Sequence, residues 1–454
     1  MTTVLCVDVG STFTKAALVD AGDGRLLATA SHPTTLGSDV LDGVGAVRAA
    51  AEGAAGCGAE EVLACSSAGG GLRLAVVGHE LEVSAEAGRR VGLSAGARVV
   101  HVHAGPLDTP GVTALRAIHP DVLLLVGGTD GGNAEVLLHN AHRVATARLP
   151  APVVLAGNRE VAEEAAEELR RRGRSVLVTA NVLPRIGALE PLPARAAIRE
   201  VFLKHVIGGK HLSRGPTFAR MVQAPTPDAV LTGVEVLADG APEDGVPGAG
   251  DVLVVDVGGA TTDVYSVVTP HGEDAGPPRD AVATLWRART VEADLGVRWG
   301  APGVVEAALA EGLLEVPEAE RLAGYARRVA DDVGYLPDSP DDDALLARLA
   351  VTVAARRHGR PDSPASAPRP LRRIRLVVGS GGVLRHNADD VRATVLQPLV
   401  RDHGGGWSVP ERARLAVDAR YVLFAAGLLA RVAPAAAARL AVTGLVGVRL
   451  GARP

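Results

Sequence analysis

Two stretches of the chain repeat one chemical arrangement. Val7-Asp8-Val9-Gly10-Ser11-Thr12-Phe13-Thr14-Lys15 ends an apolar run with a carboxylate, then offers a glycine, hydroxyls and an ammonium group. A carboxylate closing a buried strand requires a partner or a cation. Gly10 permits a tight turn that a side chain would hinder. Ser11, Thr12 and Thr14 supply hydroxyls and backbone N–H groups, and Lys15 supplies positive charge. Such a hairpin can cradle phosphate oxygens while Asp8 holds a hydrated metal ion. The arrangement returns as Val255-Asp256-Val257-Gly258-Gly259-Ala260-Thr261-Thr262-Asp263. A single strand, acid and glycine turn occurs in many folds. Two of them, one in each half, suggest a duplicated fold whose hairpins face one site.

Two further glycine-rich strand ends matter. Leu376 to Val378 reads as a short strand followed by Gly379-Ser380-Gly381-Gly382, where glycines would let backbone lie flat against a ring and its ribose. Asp121 to Val126 reads as a buried strand followed by Gly127-Gly128-Thr129-Asp130-Gly131-Gly132-Asn133. Ligands of open α/β sheets gather beyond the carboxyl ends of strands, so Gly128, Thr129 and Asp130 are candidate site residues. The competing reading is a helix-entry turn with Asp130 as its cap. His101 and His103 share a strand face, but with no third ligand nearby a structural role is expected. Glu292 and Asp294 also share a face, and a solvated edge is expected there rather than a metal or water site.

The elements that must position these residues follow from periodicity. Helices are expected at Asp39 to Gly53, Val83 to Gly92, Asp108 to His119 and Asn133 to Ala141. Asn158 is expected to cap a charged helix running to Arg172. The intervening strands predict a largely parallel α/β sheet. Residues 181 to 223 are basic, with Arg195, Arg199, Lys204, Lys210 and His211 among them. They read as a solvated face or a docking surface for an acidic partner. Asp239 to Gly250 is acidic and Gly/Pro-rich, the best boundary between domains at 1–238 and 251–454. Pro270 to Pro278 and Arg360 to Pro370 read as loops, and the chain from Pro410 as helix kinked at Pro434.

Composition narrows the function classes. Of 454 residues only 2% are aromatic, too few for a base-stacking platform, and the net charge of −5 argues against phosphate-backbone binding. No nucleic-acid or membrane partner is therefore expected. Three cysteines without a Cys-x-x-Cys pair give neither a disulfide framework nor a zinc site. Asp8 rules out a signal peptide, and no uncharged apolar run reaches about 18 residues. The chain reads as cytoplasmic, and self-association, a homodimer included, stays open.

The order of two acid–glycine hairpins followed by Gly-Ser-Gly-Gly resembles the actin, sugar kinase and heat-shock chaperone ATPase superfamily. A finer resemblance is carried by Asp8 to Lys15, Gly127 to Asn133, Leu183-Pro184, Pro225-Thr226-Pro227, Asp256 to Val264 and Gly379 to Leu384. It is to the accessory protein of the glutamate mutase operon, the MutL/GlmL family, unrelated to mismatch repair. The resemblance implies an α/β fold of duplicated ribonuclease H-like domains, two lobes around a nucleotide cleft. It implies ATP and Mg2+ as cofactors. Asp8 would order the metal mostly through water, with Gly10, Ser11, Thr12, Thr14 and Lys15 on the phosphates. Asp256 or Asp130 would orient the attacking water, Asp256 completing the metal shell. Gly258, Gly259, Thr261 and Thr262 would hold phosphates, while Gly379, Ser380, Gly381 and Gly382 would bracket adenosine. The implied partner is an adenosylcobalamin-dependent carbon-skeleton mutase, reactivated at the expense of ATP. A small-molecule kinase and a non-hydrolysing nucleotide-dependent scaffold are the alternatives.

Overall fold

The computed structural model describes residues 2–209, 212–271, 282, 284–337, 339–361, 368–405 and 408–449. Lys210, His211, most of the loop expected at 270–278 and most of that at 360–370 lie outside the described residues.

The chain opens with three antiparallel strands, β1 (Thr3–Val9), β2 (Phe13–Asp20) and β3 (Leu26–Pro33). Helix Val40–Ala55 follows, begun by the Asp39 side chain accepting from Leu41 N and closed by left-handed Gly56. Strand β4 (Glu61–Ser66) then pairs parallel with β1. The chain now departs into a separate all-parallel sheet. Its strands are β5 (Leu72–Gly78), β6 (Ala97–Ala104), β7 (Val122–Leu125), β8 (Val153–Leu155) and β9 (Val176–Val178), ordered β6-β5-β7-β8-β9. Both faces are buried. Val77, Leu123, Leu125 and Leu155 enter one core, and Leu74, Val76, Leu124 and Val154 another. That explains runs without alternation. Strand β10 (Val222–Pro225) returns to the first sheet, giving β3-β2-β1-β4-β10.

A short hairpin, β11 (Gly240–Ala241) with β12 (Val246–Pro247), occupies the acidic Gly/Pro segment. The second half then repeats the first sheet. Antiparallel β13 (Val252–Val257), β14 (Thr262–Val267) and β15 (Arg287–Glu292) precede β16 (Leu376–Gly381) and β17 (Arg414–Val417). The order β15-β14-β13-β16-β17 has β16 parallel to β13 and β17 parallel to β16, and antiparallel β18 (Val446–Val448) extends it. The same order and directions occur in both halves, which is the duplicated ribonuclease H-like, actin-like arrangement.

The chain divides into two compact units. One comprises Met1–Thr232, Pro270–Leu285 and Gly427–Ala433, and the other Gly233–Thr269, Trp286–Ala426 and Pro434–Pro454.

Several local expectations are corrected. The parallel strands of the first half form an inserted sheet, because β5 follows β4 in sequence but pairs with β6 and β7. Asn158 does not cap a helix. Helix Ala162–Arg171 begins after Val161, while buried Asn158 ties the preceding loop together. Residues 301–331 hold two helices, Ala301–Ala310 and Val316–Asp331, with Gly312 at positive φ between them. The C-terminal region is not one kinked helix. It holds β17, helix Leu423–Leu429 and helix Pro434–Thr443, with Pro434 starting a helix where its missing N–H does no harm.

Candidate phosphate-binding hairpins

The two hairpins close with the same bond. Gly10 N donates to Phe13 O at 3.1 Å, and Gly258 N donates to Thr261 O at 2.9 Å. A Cβ on Gly10 would sit 2.8 Å from Phe13 O, and one on Gly258 would sit 2.9 Å from Thr261 O, so both turns exclude a side chain.

In the first hairpin Asp8 is buried and lies opposite Lys15 on β2. Its Oδ1 accepts from Thr226 Oγ1 at 2.6 Å, with Cys65 Sγ at 3.7 Å. Burial, then the Asp8 charge, hold the Cys65 thiol well above its ordinary value, so it stays protonated. Thr226, the hydrogen-bond partner of Asp8, was not singled out from the sequence. The Pro225-Thr226-Pro227 stretch was the available signal, but it carried only the family resemblance, with no role for the threonine. Ser11 and Thr12 are exposed at the turn, and Ser11 Oγ donates to Ser67 O. Thr14 is fully buried beside Thr34 Oγ1 at 3.2 Å, and Thr34 Oγ1 donates to Gly10 O at 2.8 Å. Thr14 therefore builds the hairpin from beneath.

In the second hairpin Asp256 is partly exposed and pairs across the strands with Asp263. Asp263 is held by Thr261 Oγ1 at 3.1 Å and by buried Arg289, whose Nε lies 2.8 Å away. Thr262 is fully buried and donates to Leu295 O at 2.6 Å, a structural role matching that of Thr14. The Gly258 and Gly259 carbonyls accept from Val297 N at 3.0 Å and Arg298 N at 2.8 Å.

The Gly-Ser-Gly-Gly stretch is mostly strand. A Cβ on buried Gly379 would meet Leu384 Cδ1 at 2.5 Å and Leu396 Cδ2 at 2.7 Å, so packing accounts for that glycine. Gly381 has φ +111 and would bring a Cβ within 2.1 Å of Val257 O. Gly382 faces open space. Ser380 is buried and pairs with Asp256. The β16–β17 register ends at Gly379 opposite Val417, and Asp418 N donates to Gly379 O. Asp418, one residue beyond β17, thus continues the row that Ser380, Asp256 and Asp263 form across β16, β13 and β14. Asp418 is buried, accepts from Val422 N and Leu423 N, and is pushed up to about 6, chiefly by burial. Sequence reading missed Asp418 because its strand was taken as helix.

Gly128, Thr129 and Asp130 stand elsewhere, at the carboxyl end of the inserted sheet. Asp130 Oδ1 accepts from Arg159 N at 3.0 Å and Asn181 Nδ2 at 2.9 Å, while Asp130 N donates to Pro184 O. Asn181 also donates to Gly128 O. These bonds knit three loops of that sheet and do not include Asp8. Glu292 and Asp294 lie at the end of edge strand β15, with Asp294 exposed, and both are bonded by Arg357 Nη1 at 2.8 Å.

No group of three or more His, Cys, Asp or Glu side chains arranged for a metal occurs among the described residues. Asp8 and Asp256, each beside a glycine turn at a strand end, are carboxylates of the kind that hold a hydrated cation mostly through water.

Known proteins resemble this chain in sequence over nearly its whole length. A family model described as "MutL protein" matches residues 4–445. "Protein MutL" from Clostridium tetanomorphum is 34% identical over 462 residues, covering 97% of this chain and 98% of that protein. Among solved structures, a ligand-bound xylulose kinase from Lactobacillus acidophilus matches at 11% identity, over 99% of this chain and 93% of its own, with TM-score 0.36. Component A of the (R)-2-hydroxyglutaryl-CoA dehydratase of Acidaminococcus fermentans matches at 11% identity, over 97% and 100%, with TM-score 0.31. No described helix is long and apolar enough to cross a membrane.

Proposed function

Because the chain belongs to the MutL protein family, we propose that it binds and hydrolyses ATP to support or reactivate an adenosylcobalamin-dependent mutase of the glutamate mutase type. The observation that carries the nucleotide reading is the matched pair of hairpins. Each has an acid at its strand end and the same glycine-closed turn.

In this reading Asp8 and Asp256 each serve nucleotide phosphates. Each carboxylate would act mostly through water on Mg2+, which when bound would neutralise phosphate charge. Thr226 fixes one oxygen of the Asp8 carboxylate and so sets the direction of the other. Ser11, Thr12 and Lys15 present N–H, hydroxyl and ammonium donors to phosphate oxygens from the turn that Gly10 closes. Gly259 and Thr261 do so from the turn that Gly258 closes, and Gly381 and Gly382 border the adenosine. Phosphoryl transfer needs positioning and charge stabilisation more than covalent help, and donors of this kind supply both. Asp256, the more exposed acid, is assigned to the attacking water. Asp130, committed to its own loop, is not.

The test is hydrolysis by the purified protein supplied with Mg-ATP alone, then with sugars or short carboxylic acids, then with the mutase. Acceptor-independent phosphate release that rises with the mutase is expected. Stoichiometric phosphorylation of a small molecule would replace this reading with a kinase.

A further inference from the structure

We infer that Arg298 is a positioning residue for the second hairpin turn, locked in place by Asp343 and Tyr325. The role in catalysis rests on the nucleotide reading above. The role in ordering the turn does not.

The loop between β15 and helix Ala301–Ala310 lies directly against the Gly258–Ala260 turn. A Cβ on Gly296 would stand 2.3 Å from the carbonyl carbon of Ala260, so only hydrogen fits there. Val297 N and Arg298 N capture the carbonyls of Gly258 and Gly259. In a planar trans peptide the carbonyl points opposite to the following N–H. Holding these two carbonyls toward the loop therefore turns the N–H groups of Gly259 and Ala260 to the other side. That side is where a phosphate would meet them.

The loop keeps its shape through the Arg298 side chain. Nη1 donates to Asp343 Oδ1 at 2.9 Å and to Val297 O at 2.8 Å, and Nη2 donates to Asp343 Oδ2 at 2.8 Å. Tyr325 OH adds a bond to Asp343 Oδ1 at 2.7 Å. Burial, then the Asp343 bond, push the Tyr325 hydroxyl up, so it remains a donor. A bidentate pair with little exposure holds geometry better than a surface pair. One guanidinium thus spans the loop carbonyl and the first turn of helix Asp341–Gly359. Trp299, half exposed, covers the outer side, its ring 3.3 Å from where a Gly259 Cβ would stand.

The experiment compares wild type, Arg298→Lys, Asp343→Asn and Tyr325→Phe in two measurements. The first is amide hydrogen exchange over 257–262 in nucleotide-free protein. Exchange there is expected to rise about tenfold in Asp343→Asn and less in Tyr325→Phe, with the rest of β13 and β16 unchanged. The second is steady-state hydrolysis. Arg298→Lys keeps charge but loses the bidentate fork, so kcat is expected to fall about tenfold while KM moves less than about threefold. Combining Arg298→Lys with Asp343→Asn should cost no more than either alone. Unchanged exchange over 257–262 in both Asp343→Asn and Tyr325→Phe overturns the inference. Wild type that neither binds nor hydrolyses nucleotide removes the functional reading, while exchange still decides the positioning role.

Discussion

Thr226 Oγ1 donates to Asp8 Oδ1 over 2.6 Å, although 218 residues separate them. The parallel run of β10, β4 and β1 brings them together, with Cys65 level with Asp8 on the strand between. The whole inserted sheet lies between these residues in sequence. Folding must therefore close that long excursion before the carboxylate acquires its fixed orientation.

That relationship gives the first prediction. Thr226→Val keeps the shape of the side chain and removes the donor. A hydrogen bond to a charged group contributes about 1.5–3 kcal/mol, so Mg-dependent hydrolysis should fall roughly tenfold or more. Thr226→Ser should retain most of it. Magnesium titrations of phosphate release provide the measurement, and equal rates in the valine variant would contradict the assignment.

The glycines of β16 separate structure from binding. Gly381→Ala forces a left-handed backbone and a clash with Val257 O, and should lower the denaturation midpoint markedly. Gly382→Ala meets nothing and should leave stability within about 0.5 kcal/mol. If Gly382 borders adenosine, the same substitution weakens nucleotide affinity. Calorimetric titration with ADP reads that effect apart from stability.

The basic segment is only partly a surface. Arg195 is buried and bonds Asp228, which Arg199 also bonds, and Asp228 is itself buried. Asp228→Asn removes a buried carboxylate bonded by two arginines and should cost about 3–5 kcal/mol, seen in urea unfolding. Lys204 is exposed and pairs only with neighbouring Glu200 in the same helix turn among the contacts described. Lys204→Glu should change stability by less than about 1 kcal/mol and weaken binding of an acidic partner, with basal hydrolysis intact. Equal loss of hydrolysis would make this face structural.

Asp418 sets a pH dependence. Its folded value of about 6 exceeds the ordinary carboxyl value because burial disfavours the charged form. Between about pH 4 and 6 the folded state keeps a proton that the unfolded chain releases, so stability falls as pH rises through that window. At 1.36 kcal/mol per pH unit this amounts to roughly 3 kcal/mol. Asp418→Asn should gain stability relative to wild type as pH rises from 4 to 7. Parallel unfolding curves at both pH values would refute this.

The sequence by itself determined both hairpins, most helices and the family resemblance. Acid, glycine and hydroxyl at fixed spacing encode a turn locally, and Asp39, Gly56 and Pro110 act within one helical turn of themselves. Tertiary structure alone decided which sheet each strand joins. Val122 to Val126 reads the same in either sheet, because a strand buried on both faces carries no mark of its neighbours. It also decided which hydroxyls build and which are presented. Thr12 and Thr14 are two apart on one hairpin, yet one is exposed and the other sealed against Thr34. Thr226 and Asp418 stayed hidden for the same reason. Each gains its role from a strand that arrives from far along the chain, and no local periodicity records that arrival.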